Sequence, residues 1–169
     1  IRNIILNHIL FLFQKKVEED GTLHQKFCQA LENGETENVE RYLNEYMAKT
    51  ISIRDTASRR SDKENFYHGI LMGVLSFKAG WTTKSNMESG NGFSDILIWS
   101  DDSDIGIVLE LKYADSGLTD GICKKALEQI EQNNYADVLQ QKGCNKILKY
   151  GMVFHKESCK VVLADNNES

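Results

Sequence analysis

Hydrophobic residues recur at two different spacings along the chain, and the change falls near residue 81. In the first part, apolar positions lie three and four residues apart, as in "HQKFCQALENG" and "TENVERYLNEYMAKTI". That spacing is the period of an amphipathic helix. Gly34 lies between the two segments and is suited to end the first helix. The pattern therefore predicts a helical N-terminal segment over residues 1–60.

The opening stretch "IRNIILNHILFLF" is the most hydrophobic part of this segment. Polar residues interrupt it, and its apolar residues fall at helical spacing, which favours an amphipathic helix over a signal peptide. No apolar run in the chain approaches the roughly 20 residues of a membrane-spanning helix. The sequence thus predicts no membrane partner.

A polar stretch, "RDTASRRSDKE", has no apolar period and is predicted to link the N-terminal helical segment to the rest of the chain. Ser61 or Asp62 is suited to cap the next helix, "KENFYHGILMGVLSFKAG", and Gly80 to end it. Strand segments come next, in the order "WTTKSNMES", "SDILIWS" and "DIGIVLELKYA". The turn-forming "DDSD" separates the last two.

The remainder completes an α/β domain that we assign to residues 61–169. "DGICKKALEQIEQNNYADVLQQKG" predicts one or two helices, and "KILKYGMVFHKESCKVVLA" predicts two more strands. The order α-β-β-β-α-β-β predicts a mixed central sheet flanked by helices.

Composition narrows the possible functions only a little. The chain has 169 residues, 41% of them hydrophobic and 27% charged, which suits one soluble domain with a small appendage. Four widely spaced cysteines without a CxxC pair indicate reduced thiols in a cytoplasmic protein. A net charge of −5 argues against a large nucleic-acid footprint but allows a local acidic site that holds a metal.

Charged residues within the third strand are the first sign of chemistry. Side chains alternate between the faces of a strand, so Glu110 and Lys112 share one face with Val108. Taken alone, this spacing favours a half-exposed edge strand with a solvated charge pair.

Asp95 changes that interpretation. If the second and third strands pair through the "DDSD" turn, Asp95 lies opposite a residue near the end of the third strand, towards Glu110. Two converging carboxylates repel each other unless a cation separates them. Mg²⁺ accepts one or two carboxylates, a carbonyl such as that of Leu111, and waters.

Two further residues are candidates on the flanking helices. Glu64 begins a stripe on one face of the helix that continues as His68, Leu71 and Leu75, so its side chain can face the sheet. An equally favoured interpretation is that Glu64 only stabilises the dipole of its helix from the first turn. For His68 the favoured interpretation is a hydrogen-bonded, part-buried histidine. Gln129 can point inward, although a solvent-facing glutamine is the default for such a position.

These residues resemble a known signature. "GFSD" (Gly92–Asp95), fourteen residues and then "ELK" (Glu110–Lys112) resemble the D-x(n)-E-x-K motif of the PD-(D/E)XK nuclease superfamily. "ENFYHG", "ALEQIEQNNYAD" and "KYGMVF" are similar to the nuclease-like domain that follows AAA-ATPase-like domains in many bacterial proteins. The resemblance extends from Asp62 to Val162. Phe93 departs from it, because members often carry a basic residue there that could contact phosphate.

The resemblance implies a restriction-endonuclease-like α-β-β-β-α-β core and a metal-dependent nuclease, acting on DNA. It implies that Asp95 and Glu110 ligate Mg²⁺, with Mn²⁺ as a substitute, together with the Leu111 carbonyl. Glu64 would complete the acidic cluster directly or through water. Lys112 would position or deprotonate the attacking water and steady the transition-state charge. Gln129 would support these residues or contact substrate.

Two other functions stay open on the sequence. A catalytically silent regulatory module of a larger ATPase-containing protein is favoured by the acidic net charge and Phe93, and opposed by the intact Asp95, Glu110 and Lys112. An adaptor with a fortuitous E-x-K predicts that Asp95 and Glu110 do not converge. An N-terminal ATPase-like domain in the full-length protein is a further expectation, and the residues leave the oligomeric state open.

Overall fold

The protein is described by a computed structural model. It describes residues 21–50, 60–86, 95–117, 120–132 and 135–164, together with Phe11 and Lys15; the side chains of residues 49, 50, 60–62, 86 and 95 are outside that description. Three predicted features therefore lie outside the described residues. They are the N-terminal helix, of which only Phe11 is described, the linker before residue 60, and Phe93.

Five strands form one mixed sheet in the order β1-β2-β3-β4-β5. They are β1 (Trp81–Asn86), β2 (Asp95–Ser100), β3 (Ile105–Tyr113), β4 (Lys146–His155) and β5 (Ser158–Leu163). Only β3 and β4 are parallel; the other neighbours are antiparallel. A parallel pair needs a crossover, and the two helices between β3 and β4 provide it.

Five helices flank the sheet in the described part of the chain, numbered in chain order. They are α1 (Gly21–Asn33), α2 (Thr36–Thr50), α3 (Arg60–Ser76), α4 (Asp120–Gln132) and α5 (Tyr135–Gln141). Gly34 has a φ of 78° between α1 and α2, the left-handed conformation expected of a helix C-cap. Helix α3 ends four residues before Gly80, which lies in the following turn rather than at the helix end. The α/β fold with a mixed sheet flanked by helices is confirmed.

Strand β3 is buried on both faces. Ile107, Leu109 and Leu111 pack in the larger core with residues of α1, α2 and α3. Val108, on the opposite face, packs with Ile130 of α4 and residues of α5. β3 is thus the central strand, and the half-exposed edge strand considered from the E-x-K spacing alone is wrong.

The N-terminal helices α1 and α2 contribute to the same core as the sheet. Side chains of α2 also bind the backbone of the edge strand β5: Glu40 accepts the Val161 N–H at 2.9 Å, and Asn44 accepts the Cys159 N–H at 2.7 Å. These bonds satisfy donors that an edge strand would otherwise expose. The residues before and after position 60 share one core, and the division of the chain at residue 60 stays a prediction.

The four cysteines are free and buried. Burial raises the pKa of the Cys28 thiol to about 12, so it stays protonated and unreactive at neutral pH. Among the described residues, no helix has the length and hydrophobicity to cross a membrane.

Candidate active site

Asp95 and Glu110 lie directly opposite each other where β2 begins. The antiparallel register pairs their Cα atoms, and the pairing continues through Ile96 with Leu109. Residues paired in this way lie on the same face of a sheet. The adaptor hypothesis required these two residues to be apart, and the backbone register is inconsistent with it.

Hydrogen bonds at both ends of β3 show which way its peptide groups point. The Ala114 N–H donates to the Phe154 carbonyl of β4 at 2.8 Å, and the Asp104 carbonyl accepts from the residues that open β4. Even-numbered residues of β3 therefore direct their backbone groups towards β4, and odd-numbered residues towards β2. Asp95 and Glu110 consequently form a non-hydrogen-bonded pair, in which Cα atoms approach to about 4.5 Å.

Glu110 is fully buried, with an exposed fraction of 0%. Neither of its carboxylate oxygens has a hydrogen-bond partner within the described part of the chain. Oε1 lies 2.5 Å from the Lys112 Nζ, close enough for an ion pair but not aligned for a hydrogen bond. Buried carboxylates are normally hydrogen-bonded as well as paired, because a buried polar group without hydrogen bonds costs about 1–3 kcal/mol, and more when it is charged. The site therefore has spare capacity to bind a cation.

Gln129 points inward from α4 and contacts Lys112. Its Oε1 accepts a hydrogen bond from the Lys112 Nζ at 2.5 Å, so the solvent-facing alternative for Gln129 does not hold. Helix α4 orients it because Ala126 and Ile130 on the neighbouring positions are buried against the sheet. Lys112 is consequently held between the buried Glu110 and Gln129, with 20% of its side chain exposed.

Glu64 reaches the same end of β3 from α3. Its Oε1 accepts the Tyr113 backbone N–H at 3.1 Å, on the side of β3 that faces β2. The Leu111 carbonyl points to that side too, because residues two positions apart in a strand direct their backbone groups to the same side. One turn further along α3, His68 is buried and its Nε2 lies 3.1 Å from the Ser85 Oγ, the hydrogen-bonded histidine favoured from the sequence.

The donors at this position suit a divalent cation. Mg²⁺ and Mn²⁺ prefer carboxylate, carbonyl and water oxygens. Glu110 offers a buried carboxylate that no side chain or backbone group of the described ranges hydrogen-bonds, Asp95 is its register partner, and the Leu111 carbonyl faces the β2 side. Among the described side chains, which do not include that of Asp95, no three His, Cys, Asp or Glu residues form a metal-binding group.

The sequence did not predict a second group of side chains, which lies at the C-terminal end of β3. The Lys63 Nζ lies 4.6 Å from the centroid of the Tyr113 ring and 3.7 Å from the Asp115 Oδ1. The His155 Nδ1 donates to the Ala114 carbonyl at 2.6 Å. The only signal in the sequence was that Lys63 adjoins Glu64, and a lysine in the first turn of a helix is too common to be informative.

The mixed sheet, the flanking helices and the paired acids beside a lysine define an α/β domain of the restriction-endonuclease-like class. The sequence-family model of the PD-(D/E)XK nuclease superfamily matches residues 62–163, which are more than half of the chain. The chain therefore belongs to the PD-(D/E)XK nuclease superfamily. No curated protein sequence matches it significantly.

Proposed function

We propose that the protein is a divalent-metal-dependent nuclease that hydrolyses phosphodiester bonds of DNA. The observation that carries the proposal is the Glu110 carboxylate, which is fully buried, has no hydrogen bond to the described residues, and lies opposite Asp95 and 2.5 Å from Lys112. Membership of a nuclease superfamily supports the same chemistry.

We assign each residue a role that its position supports. Glu110, Asp95 and the Leu111 carbonyl would hold Mg²⁺ or Mn²⁺. Glu64, whose Oε1 accepts the Tyr113 N–H, would complete the acidic cluster directly or through a water. A bound metal would polarise the phosphate and lower the pKa of a coordinated water. Lys112 extends from the same face of β3 and would orient the attacking water and offset negative charge in the transition state.

Gln129 would keep the Lys112 ammonium in place. Because Gln129 accepts a hydrogen bond from that ammonium and Glu110 forms an ion pair with it, the lysine is restricted to a narrow set of orientations. A positioned cation needs little reorganisation during the reaction, which is the main advantage of a rigid electrostatic site.

The preferred metal, the DNA substrate and an N-terminal ATPase-like partner are finer parts of the proposal. Mg²⁺ is favoured because the donors are all oxygens. DNA as the substrate is supported by the resemblance of Asp95, Glu110 and Lys112 to the nuclease signature. The ATPase-like domain is supported by the resemblance of "ENFYHG", "ALEQIEQNNYAD" and "KYGMVF" to the domain that follows AAA-ATPase-like domains in bacterial proteins.

The test is a cleavage assay on labelled single-stranded DNA, double-stranded DNA and RNA, with Mg²⁺, Mn²⁺ or EDTA. We expect cleavage of DNA that requires metal and that Lys112→Ala reduces by at least about a hundredfold. Lys149→Ala is the matched control, because Lys149 is also a part-buried lysine paired with a glutamate, Glu131, at 2.7 Å. Its activity should equal that of the unmodified protein.

Absence of cleavage on all three substrates, together with absence of metal binding, would overturn the proposal. That combined result would favour the catalytically silent regulatory module. Cleavage that Lys112→Ala leaves unchanged would show that another site is responsible.

A further inference from the structure

Gly151 lies beside Glu110 in the parallel register of β3 and β4. Its φ is not positive, so the backbone does not require a glycine at this position. A glycine is favoured instead because the helix above the strand leaves too little space for a side chain. A β-carbon at residue 151 would lie 3.1 Å from the Ala126 Cβ and 3.2 Å from the Cys123 carbonyl oxygen, both on α4, and 3.1 Å from the Cγ2 of Val162 on β5.

These contacts show how closely α4 approaches the sheet. The Cys123 oxygen belongs to the helix backbone and cannot move without the helix. The Ala126 Cβ has no rotamer with which to avoid a clash. A side chain at Gly151 would therefore displace α4 from the sheet by a few tenths of an ångström.

Gln129 depends on the position of this part of α4. It follows Ala126 by three residues, which places it on the same side of the helix and about 4.5 Å further along the axis. Its Oε1 makes the 2.5 Å contact with the Lys112 Nζ. Any displacement of α4 at Ala126 therefore reaches the contact that holds Lys112.

We propose that Gly151 is a positioning residue for Lys112: its missing side chain lets α4 lie close enough to the sheet for Gln129 to hold the lysine beside Glu110. The catalytic consequence of this proposal rests on the proposed nuclease function. The geometric part does not, because it concerns the distance between α4 and β4 in the metal-free protein.

The first test is the kinetics of Gly151→Ala. Errors near 1 Å in positioning can cost about a hundredfold in rate, so a shift of a few tenths should lower kcat about tenfold. KM and the metal concentration for half-maximal rate should stay unchanged, since neither Asp95 nor Glu110 moves along its strand. The matched control is Gly106→Ala on β3, where an added β-carbon would be equally crowded, 3.0 Å from the Leu139 Cδ1, but lies under α5.

The second test asks whether Gly151 acts through Gln129. If it does, adding Gly151→Ala to Gln129→Ala should cause no further loss of kcat, because the contact is already gone. Losses that multiply would overturn the proposal, and so would an equal loss of kcat in Gly106→Ala. If Gly151→Ala does not fold, the double variant Gly151→Ala/Ala126→Gly replaces it, because this variant lacks the Ala126 methyl group. Its kcat should lie between the kcat of the unmodified protein and that of Gln129→Ala.

The third test separates this proposal from the nuclease function. Crystal structures of the metal-free protein and of Gly151→Ala should show α4 displaced from the sheet and the distance between Lys112 Nζ and Gln129 Oε1 lengthened from 2.5 Å by a few tenths of an ångström. An unchanged distance would overturn the proposal even if the protein cleaves DNA. A lengthened distance in a protein that cleaves nothing would leave the positioning role intact and refute the nuclease function alone.

Discussion

The Nζ of Lys112 lies 2.5 Å from the Oε1 of Glu110, and both residues extend from the same face of the central strand. A strand holds two such residues more rigidly than a loop, because neighbours on both sides fix its backbone. Here β2 and β4 flank Glu110 on both sides, and β4 flanks Lys112 on one side. Glu110 is thus the more rigidly held residue of the charged pair.

Metal binding should stabilise the protein and depend on Glu110. At a metal concentration 100 times Kd, binding to the folded state alone contributes about 2.7 kcal/mol, which raises Tm by roughly 5–10 °C for a domain of this size. Differential scanning calorimetry with Mn²⁺ measures the shift, and EDTA provides the baseline. Glu110→Gln should abolish it; a shift of unchanged size in Glu110→Gln would place the metal elsewhere.

Asp95→Asn should end cleavage without unfolding the protein. Like charges directly opposite each other on paired strands destabilise a sheet by up to about 1 kcal/mol, so removing one of them leaves stability unchanged or raises it by that amount. Urea unfolding in EDTA measures this change, and the cleavage assay measures the loss of activity. A strongly destabilised Asp95→Asn would instead indicate a structural role at the start of β2.

The backbone pattern of this site was predictable from the sequence, whereas its side-chain contacts were not. Alternation along β3 correctly placed Glu110 and Lys112 on one face, and the short "DDSD" turn correctly brought Asp95 opposite Glu110. Burial of Glu110 was not predictable, because it depends on α4 crossing above it. No pattern of residue types along the sequence predicts how closely a helix packs against a sheet.

Contacts between side chains and the backbone also escaped prediction. Glu64 binds the Tyr113 N–H, and Asn44 binds the backbone of β5. A backbone N–H has no residue identity, so no spacing of residue types signals such a bond. Polar residues on α2 and α3 resemble an ordinary solvated helix surface until the sheet is in place.

Glu64 has two roles that substitution can separate. Glu64→Gln keeps an oxygen to accept the Tyr113 N–H but removes the charge, so it should fold with nearly unchanged stability and lower activity. Glu64→Ala also loses the hydrogen bond and should be less stable by about 1.5–3 kcal/mol, the range for hydrogen bonds to charged groups. Chemical denaturation and cleavage rates, measured on both variants, test this. Equal activity in Glu64→Gln and the unmodified protein would limit Glu64 to its structural bond.

Nucleic-acid binding should depend only weakly on salt. With a net charge of −5, the footprint relies on local basic residues: Lys112, the exposed Lys124 and Lys125 of α4, and the Arg59–Arg60 pair. Each phosphate contact contributes about −0.9 to the slope of log K against log salt for duplex DNA, so two to four contacts give a slope between about −2 and −4.

The salt dependence is measured by fluorescence anisotropy with labelled DNA in Ca²⁺, which occupies oxygen sites and often does not support cleavage. Lys124→Ala and Lys125→Ala should each make the slope shallower by about 1, whereas Lys149→Ala, whose ammonium is already paired with Glu131, should leave it unchanged. A slope steeper than about −7, equivalent to eight or more contacts, would show that partner subunits or another part of the full-length protein supply the footprint. No binding at low salt would contradict the nucleic-acid partner itself, because the electrostatic attraction is strongest there.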